Sequence, residues 1–206
     1  TKQSEMFSLL HHQATITAVA LSDNGKYAAS ADTSGKVILW NLLAQAMVSS
    51  VKAHKTQVSD LKFTSDNNTL ISSGQDHQLH LWQLADQETG KKEQKIHFNS
   101  QLNSAVTSFD ISADNRRILA AYENGHLIQW SIPTRQPLMN IEKTELSLVA
   151  VSYLNKGSVI MAIDTDRSIH FWDSLNGNYI ENFTTQNWQK GGDFPEPPDP
   201  TAHKST

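Results

Sequence analysis

The chain has 206 residues, with 17 Lys and Arg against 21 Asp and Glu, a formal charge of −4 and no cysteine. That balance offers no bulk field for nucleic acid or an anionic membrane surface, and the missing thiols remove cysteine nucleophiles, thiolate metal sites and disulfides while leaving the compartment open. No apolar run approaches the roughly 18 residues of a membrane span, and the length suffices for a buried core in one or two domains.

In chain order, Met6–Leu10 reads as an outer strand. A unit then begins that recurs over residues 12–41, 54–83, 102–131 and 145–173. In the first copy Ile16–Leu21 is a strand, Ser22-Asp23-Asn24-Gly25 a hairpin turn, Tyr27–Ala31 a second strand and Val37–Trp40 a third. Asn-Gly supplies the positive φ that tight hairpins require. Equivalent turns fall at Ser65-Asp66-Asn67-Asn68, Ser112-Ala113-Asp114-Asn115 and Leu154-Asn155-Lys156-Gly157. A fourth, more polar strand follows each unit, at Ala46–Val51, Lys95–Phe98, Pro137–Ile141 and Tyr179–Phe183. Third strands such as Val37-Ile38-Leu39-Trp40 are nearly solid apolar runs, the pattern of burial on both faces.

The apolar anchors Ile16, Val58, Val106 and Val149 precede Trp40, Trp82, Trp130 and Trp172 by 24, 24, 24 and 23 residues, and the tryptophans are 42, 48 and 42 apart. A period of about 40–45 residues is that of a four-stranded propeller blade, and the extra residues of the second unit fall in Ala85–Lys95.

On these residues the chain resembles WD-repeat propellers over 12–183. The resemblance implies an all-β β-propeller of four-stranded antiparallel blades, at 12–53, 54–101, 102–144 and 145–183, with 6–10 belonging to a preceding blade. It also implies a hydrogen-bonded set in each blade: a His before the first strand, a Ser or Thr on the second, an Asp in the next turn and the Trp of the third. The second repeat matches throughout with His54, Ser72, Asp76 and Trp82. The first offers His12, Ser30 and Trp40 with Ser34 at the Asp position, so its network is expected to be incomplete. The third keeps Trp130 with Asn124 in the turn, and the fourth keeps Asp166 and Trp172 with Glu145 at the His position. Such groups are structural, because buried polar atoms must be paired.

Other chemistry is sparse. No G-x-S-x-G elbow or Gly-rich phosphate loop occurs, so no catalytic residue and no cofactor is assigned. His77 with His80, and His11 with His12, are the tightest histidine pairs, but neither has the spacing of a metal site, and no metal is expected. Lys91, Lys92 and Lys95 share their loop with Asp86, Glu88 and Glu93 and read as a solvated segment. Residues 184–206 hold four of the six prolines and read as an extended, flexible tail, with Trp188 and Phe194 as its apolar handles.

The function implied by the resemblance is a non-catalytic scaffold for other proteins or peptides. Its partner-binding candidates flank the first-strand anchor or precede the turn: Thr15, Thr17 and Thr33, Gln57, Ser59 and Gln75, Thr107 and Glu123, then Thr165. The alternative is a ligand-sensing or catalytic propeller domain of a larger protein that works through its central channel. Small or apolar first-strand residues such as Ala18, Ala20, Leu61 and Phe63 favour the scaffold. Family resemblance points to about seven blades, so these four are expected to form an arc completed by further blades or by self-association.

Overall fold

The computed structural model describes residues 11–84, 94–98, 103–141 and 144–183, with backbone alone at 94–97 and 181–183. The outer strand expected at Met6–Leu10, most of the Ala85–Lys95 insertion and the tail from Thr184 lie outside the described residues. Four antiparallel four-stranded sheets follow one another along the chain. The first comprises β1 (Ile16–Leu21), β2 (Tyr27–Asp32), β3 (Lys36–Asn41) and β4 (Ala46–Lys52); the second β5 (Val58–Phe63), β6 (Thr69–Gly74), β7 (Leu79–Gln83) and β8 (Gln94–Phe98). The third comprises β9 (Val106–Ile111), β10 (Arg117–Tyr122), β11 (Leu127–Ser131) and β12 (Pro137–Ile141); the fourth β13 (Leu148–Leu154), β14 (Val159–Asp164), β15 (Ile169–Asp173) and β16 (Tyr179–Phe183). The first two sheets belong to one compact unit, Thr1–Asn103, and the last two to another, Ser104–Thr206.

The hairpins between first and second strands close by side-chain chemistry that the sequence repeats. Ser22, Thr64 and Ser112 donate their hydroxyls to Asn24, Asp66 and Asp114, two residues on. Those side chains also accept the N–H of Lys26, Asn68 and Arg116. Gly25, Asn67 and Asn115 take the positive φ that each turn needs. In the fourth sheet a 3-10 turn at Asn155–Gly157 does the same work.

Within the first unit, Val58, Leu61, Leu70 and Trp82 of the second sheet pack on Ala29, Ala31, Val37 and Leu39 of the first. Within the second unit, Leu148, Val151, Ile160 and Trp172 pack on Leu119, Ala121 and Leu127. The first-strand anchor of the fourth sheet is therefore Leu148, fully buried, and not Val149, which is 49% exposed. The pairing of Leu148 with Asp164 matches that of Val58 with Gly74 and Val106 with Tyr122. A β-bulge just after each anchor allowed the apolar neighbour to be mistaken for it. With Leu148 as anchor, the fourth spacing to tryptophan is also 24 residues.

Each seam carries one hydroxyl clamp. Thr17 Oγ1 donates to the carbonyl of Val58 at 2.8 Å, and Thr107 Oγ1 to that of Leu148 at 2.6 Å. Among the described residues, two faces lack such cover. Ile16, Val19 and Leu21, at the positions that Val58, Leu61 and Phe63 occupy in the second sheet, are 52%, 71% and 69% exposed. On the fourth sheet Met161, Ile163, Ile169 and Phe171 are half-buried, whereas the matching Ala29, Ala31, Val37 and Leu39 are buried.

Candidate protein-interaction surface and the networks beneath it

In the second sheet His54 Nδ1 lies 2.8 Å from Asp76 Oδ1, His54 Nε2 lies 2.8 Å from Ser72 Oγ, and Trp82 Nε1 donates to Ser72 Oγ at 3.1 Å. A carboxylate only accepts, so His54 carries its proton on Nδ1, and the Ser72 hydroxyl donates to Nε2. The backbone N–H of Lys55 donates to Asp76 Oδ2 at 2.8 Å, tying the leading loop to the turn.

The first sheet builds the same set from a different position. His12 Nδ1 lies 2.7 Å from Asp32 Oδ2 and His12 Nε2 2.7 Å from Ser30 Oγ, with Trp40 Nε1 donating to Ser30 at 2.9 Å. The expectation of an incomplete network in this blade, with Ser34 at the Asp position, is corrected: Asp32, at the end of β2, supplies the carboxylate. Ser34 supports it, donating its hydroxyl to Asp32 Oδ1 at 2.6 Å. The second sheet has Gly74 at the position of Asp32. A Cβ there would come within 2.5 Å of His54 Nδ1 and 2.9 Å of Asp76 Oδ1, so the turn aspartate reaches the histidine only where that Cβ is missing.

The fourth sheet departs further. The register that makes Leu148 the anchor puts Thr144, not Glu145, at the histidine position. Its hydroxyl turns back to the carbonyl of Leu146 at 2.8 Å. Ala162 replaces the serine, and the buried indole N–H of Trp172 has no hydrogen-bond partner among the described residues. Asp166 is exposed on the turn, while the buried Asp164 pairs with Nε2 of His170 at 2.9 Å. The assignment of Asp166 and Trp172 to a shared network is thus corrected: Asp164, closer to the strand, reaches a histidine that has moved onto β15. In the third sheet the fully buried Tyr122 holds the Asp32 position.

Burial by itself would raise the carboxyl of Asp32, but hydrogen bonds from Ser34, His12 and the N–H of Lys36 outweigh it and hold the group at about 2, below the ordinary 3.8. Asp76 is lowered in the same way, its burial outweighed by His54 and the N–H of Lys55. A depressed carboxyl contributes stability that is complete above its unfolded-state value and is lost as pH falls through the folded one. The stability gap between the parent and an Asp32→Asn variant, measured by urea unfolding, is therefore expected to shrink between pH 5 and pH 2. A gap that stays constant across that range contradicts the assignment.

Above these networks every sheet joins its leading loop to its second turn by one backbone bond. The N–H of Thr33 donates to Thr15, that of Gln75 to Gln57, that of Glu123 to Ala105 and that of Thr165 to Ser147, each at 2.9 or 3.0 Å. Gly35 and Gly125, at φ +86 and +82, bring the second turn against the next leading loop so closely that a Cβ would lie 2.3 Å from the carbonyl oxygens of His54 and Thr144. Thr15, Thr33, Gln75, Glu123 and Thr165 are exposed and Gln57 and Ser59 half-buried. Thr17 and Thr107 leave the set of partner-binding candidates, because their hydroxyls are committed to the seams. Among the described residues His54, Asp76 and His80 form one group with metal-binding atoms close together, but His54 already uses both ring nitrogens on Asp76 and Ser72.

The family model for the WD domain, G-beta repeat, matches residues 3–41 and 45–83. The chain carries WD repeats. Its blades are similar to the Pre-rRNA-processing protein IPI3 of Mycosarcoma maydis, 25% identical over 60% of this chain and 24% of that protein. They are also similar to the Serine-threonine kinase receptor-associated protein of Mus musculus, 24% identical over 85% of this chain and 48% of that protein. The chain therefore spans less than half the length of either relative. The β-propeller domain of Cps50 (Swd1) from Myceliophteria thermophila shares the fold, with a TM-score of 0.71, 18% identity, and coverage of 85% of this chain and 60% of that one.

Proposed function

We propose that this WD-repeat chain is a non-catalytic platform that docks other proteins or peptides on the rim formed by its leading loops and second turns. The observation that supports this most is the bond from second turn to leading loop, repeated in all four blades. It holds Thr15 beside Thr33 and Gln57 beside Gln75 on a rigid scaffold, where binding costs little ordering. The candidate residues Thr15, Thr33, Gln57, Ser59, Gln75, Glu123 and Thr165 are polar and uncharged apart from Glu123, which suits hydrogen bonding to peptide backbone and side chains.

The test is quantitative co-purification, comparing the parent with a Gln57→Ala, Gln75→Ala, Glu123→Ala triple variant of unchanged unfolding midpoint. The variant is expected to lose at least one specific partner about tenfold, the effect of one or two lost hydrogen bonds in a desolvated contact. Retention of every partner by the variant would overturn the proposal.

We further propose that the four blades are an arc of a larger propeller. In both units the positions of Ile16, Val19 and Leu21 in the second blade are covered by the blade before it, and further WD-type blades give those three residues the same cover.

A further inference from the structure

Beside the leading loop of the fourth blade lies a cavity of about 350 Å³, bounded by Thr144, Glu145, Asp164, His170, Trp172 and Tyr179. In the first two blades the corresponding position is held by His12 or His54. The second blade keeps a hollow of about 480 Å³ beside its histidine, so what sets the fourth blade apart is the lining of the cavity and not its existence. The loss of that histidine, together with Ala162 in place of serine, also deprives Trp172 of its acceptor: its N–H is buried and has no partner among the described residues, and Trp172 itself lines the cavity. A buried donor of this kind is costly unless something brings it an acceptor.

The walls are aromatic and the charge is acidic. Trp172 and Tyr179 meet edge to face with centroids 5.6 Å apart, and His170 stacks on Trp172 at 5.6 Å. Glu145 is exposed at the mouth, and the carboxylate of Asp164 lies within, shared with His170. The corresponding hollow of the second blade has the opposite rim, with Lys52 and Lys55 beside His54 and Asp76. The fourth blade alone of these two therefore suits a cation: carboxylates offset its charge, and aromatic faces attract it.

We propose that this cavity binds a basic side chain, arginine or lysine, of a partner peptide, against the aromatic wall that includes Trp172. None of the rim residues invoked above takes part, so this site and the rim can fail separately.

The experiment titrates the protein with the peptide Ac-Gly-Gly-Arg-Gly-Gly-NH2 and follows the Trp172 indole N–H resonance, identified by its disappearance in Trp172→Phe. A saturable shift is expected, with the other four tryptophan resonances unmoved. Glu145→Gln, an exposed substitution that leaves the fold intact, is expected to weaken binding about threefold to tenfold. The same peptide with uncharged citrulline in place of arginine is expected to bind more weakly still. An unmoved Trp172 resonance overturns the site, and equal binding of the citrulline peptide or equal binding by Glu145→Gln overturns its preference for a cation.

Discussion

Asp32→Ala is expected to destabilise the protein by about 1–3 kcal/mol, as much as Asp76→Ala, because each leaves a buried histidine without the acceptor that fixes its tautomer. From the turn position alone, Asp76 would outweigh its counterpart Ser34, and the first blade would lack a carboxylate altogether. The geometry changes that ranking. Asp32 accepts from His12, from the hydroxyl and N–H of Ser34, and from the N–H of Lys36. Ser34→Ala removes one of these bonds and is expected to cost about 1 kcal/mol or less. Urea midpoints of the three variants against the parent are the measurement. An Asp32→Ala midpoint at the parent value, with Asp76→Ala clearly lower, would mean that the first network contributes nothing.

The second large effect concerns the uncovered faces. A soluble monomer rarely leaves a contiguous apolar strand face in water, yet Ile16, Val19 and Leu21 stand side by side on β1 at 52%, 71% and 69% exposure. The 23.0 kDa chain on its own is therefore expected to self-associate or to bind a hydrophobic dye. Replacing all three residues by serine is expected to reduce both behaviours without lowering the unfolding midpoint, since little buried contact is lost. Size exclusion with light scattering and dye fluorescence read the outcome together. A monodisperse monomer of the parent chain that binds no dye would overturn the arc and leave four blades sufficient in themselves.

Much of this was legible before any coordinates. The recurrence of tryptophan and the turn residues carried the four sheets, because a blade is a local device whose strands pair with their sequence neighbours. The position of Val149 misled because two apolar residues adjoin at the start of β13, and a bulge decides which one turns inward; pattern alone does not see a bulge. The carboxylate of the first blade was missed for a related reason. Position-by-position comparison looks for Asp at the turn, whereas the histidine requires only an oxygen near Nδ1, and the last residue of the second strand can deliver it. The clue was in the sequence as the contrast of Asp32 and Ser34 with Gly74 and Asp76. The commitment of Thr17 and Thr107 to the seams was not visible, since it depends on a carbonyl 41 residues away.

That contrast constrains how one repeat can be converted into another. Going from the Gly74 and Asp76 arrangement to that of Asp32 and Ser34 takes two changes. Making the turn serine first would strip the histidine of any acceptor, at the cost given above for Asp76→Ala. Making the strand-end aspartate first keeps a carboxylate beside the imidazole throughout, but its Cβ would come within 2.5 Å of His54 Nδ1 and 2.9 Å of Asp76 Oδ1, so both side chains must shift to admit it. The fourth blade carries both acids, with Asp164 engaged and Asp166 exposed, but its Asp164 pairs with His170 on β15 because Thr144 stands at the histidine position. Stepwise exchange between the two solutions thus passes either through a blade with both acids, whose side chains must rearrange around the new Cβ, or through a blade with neither, whose histidine has no acceptor.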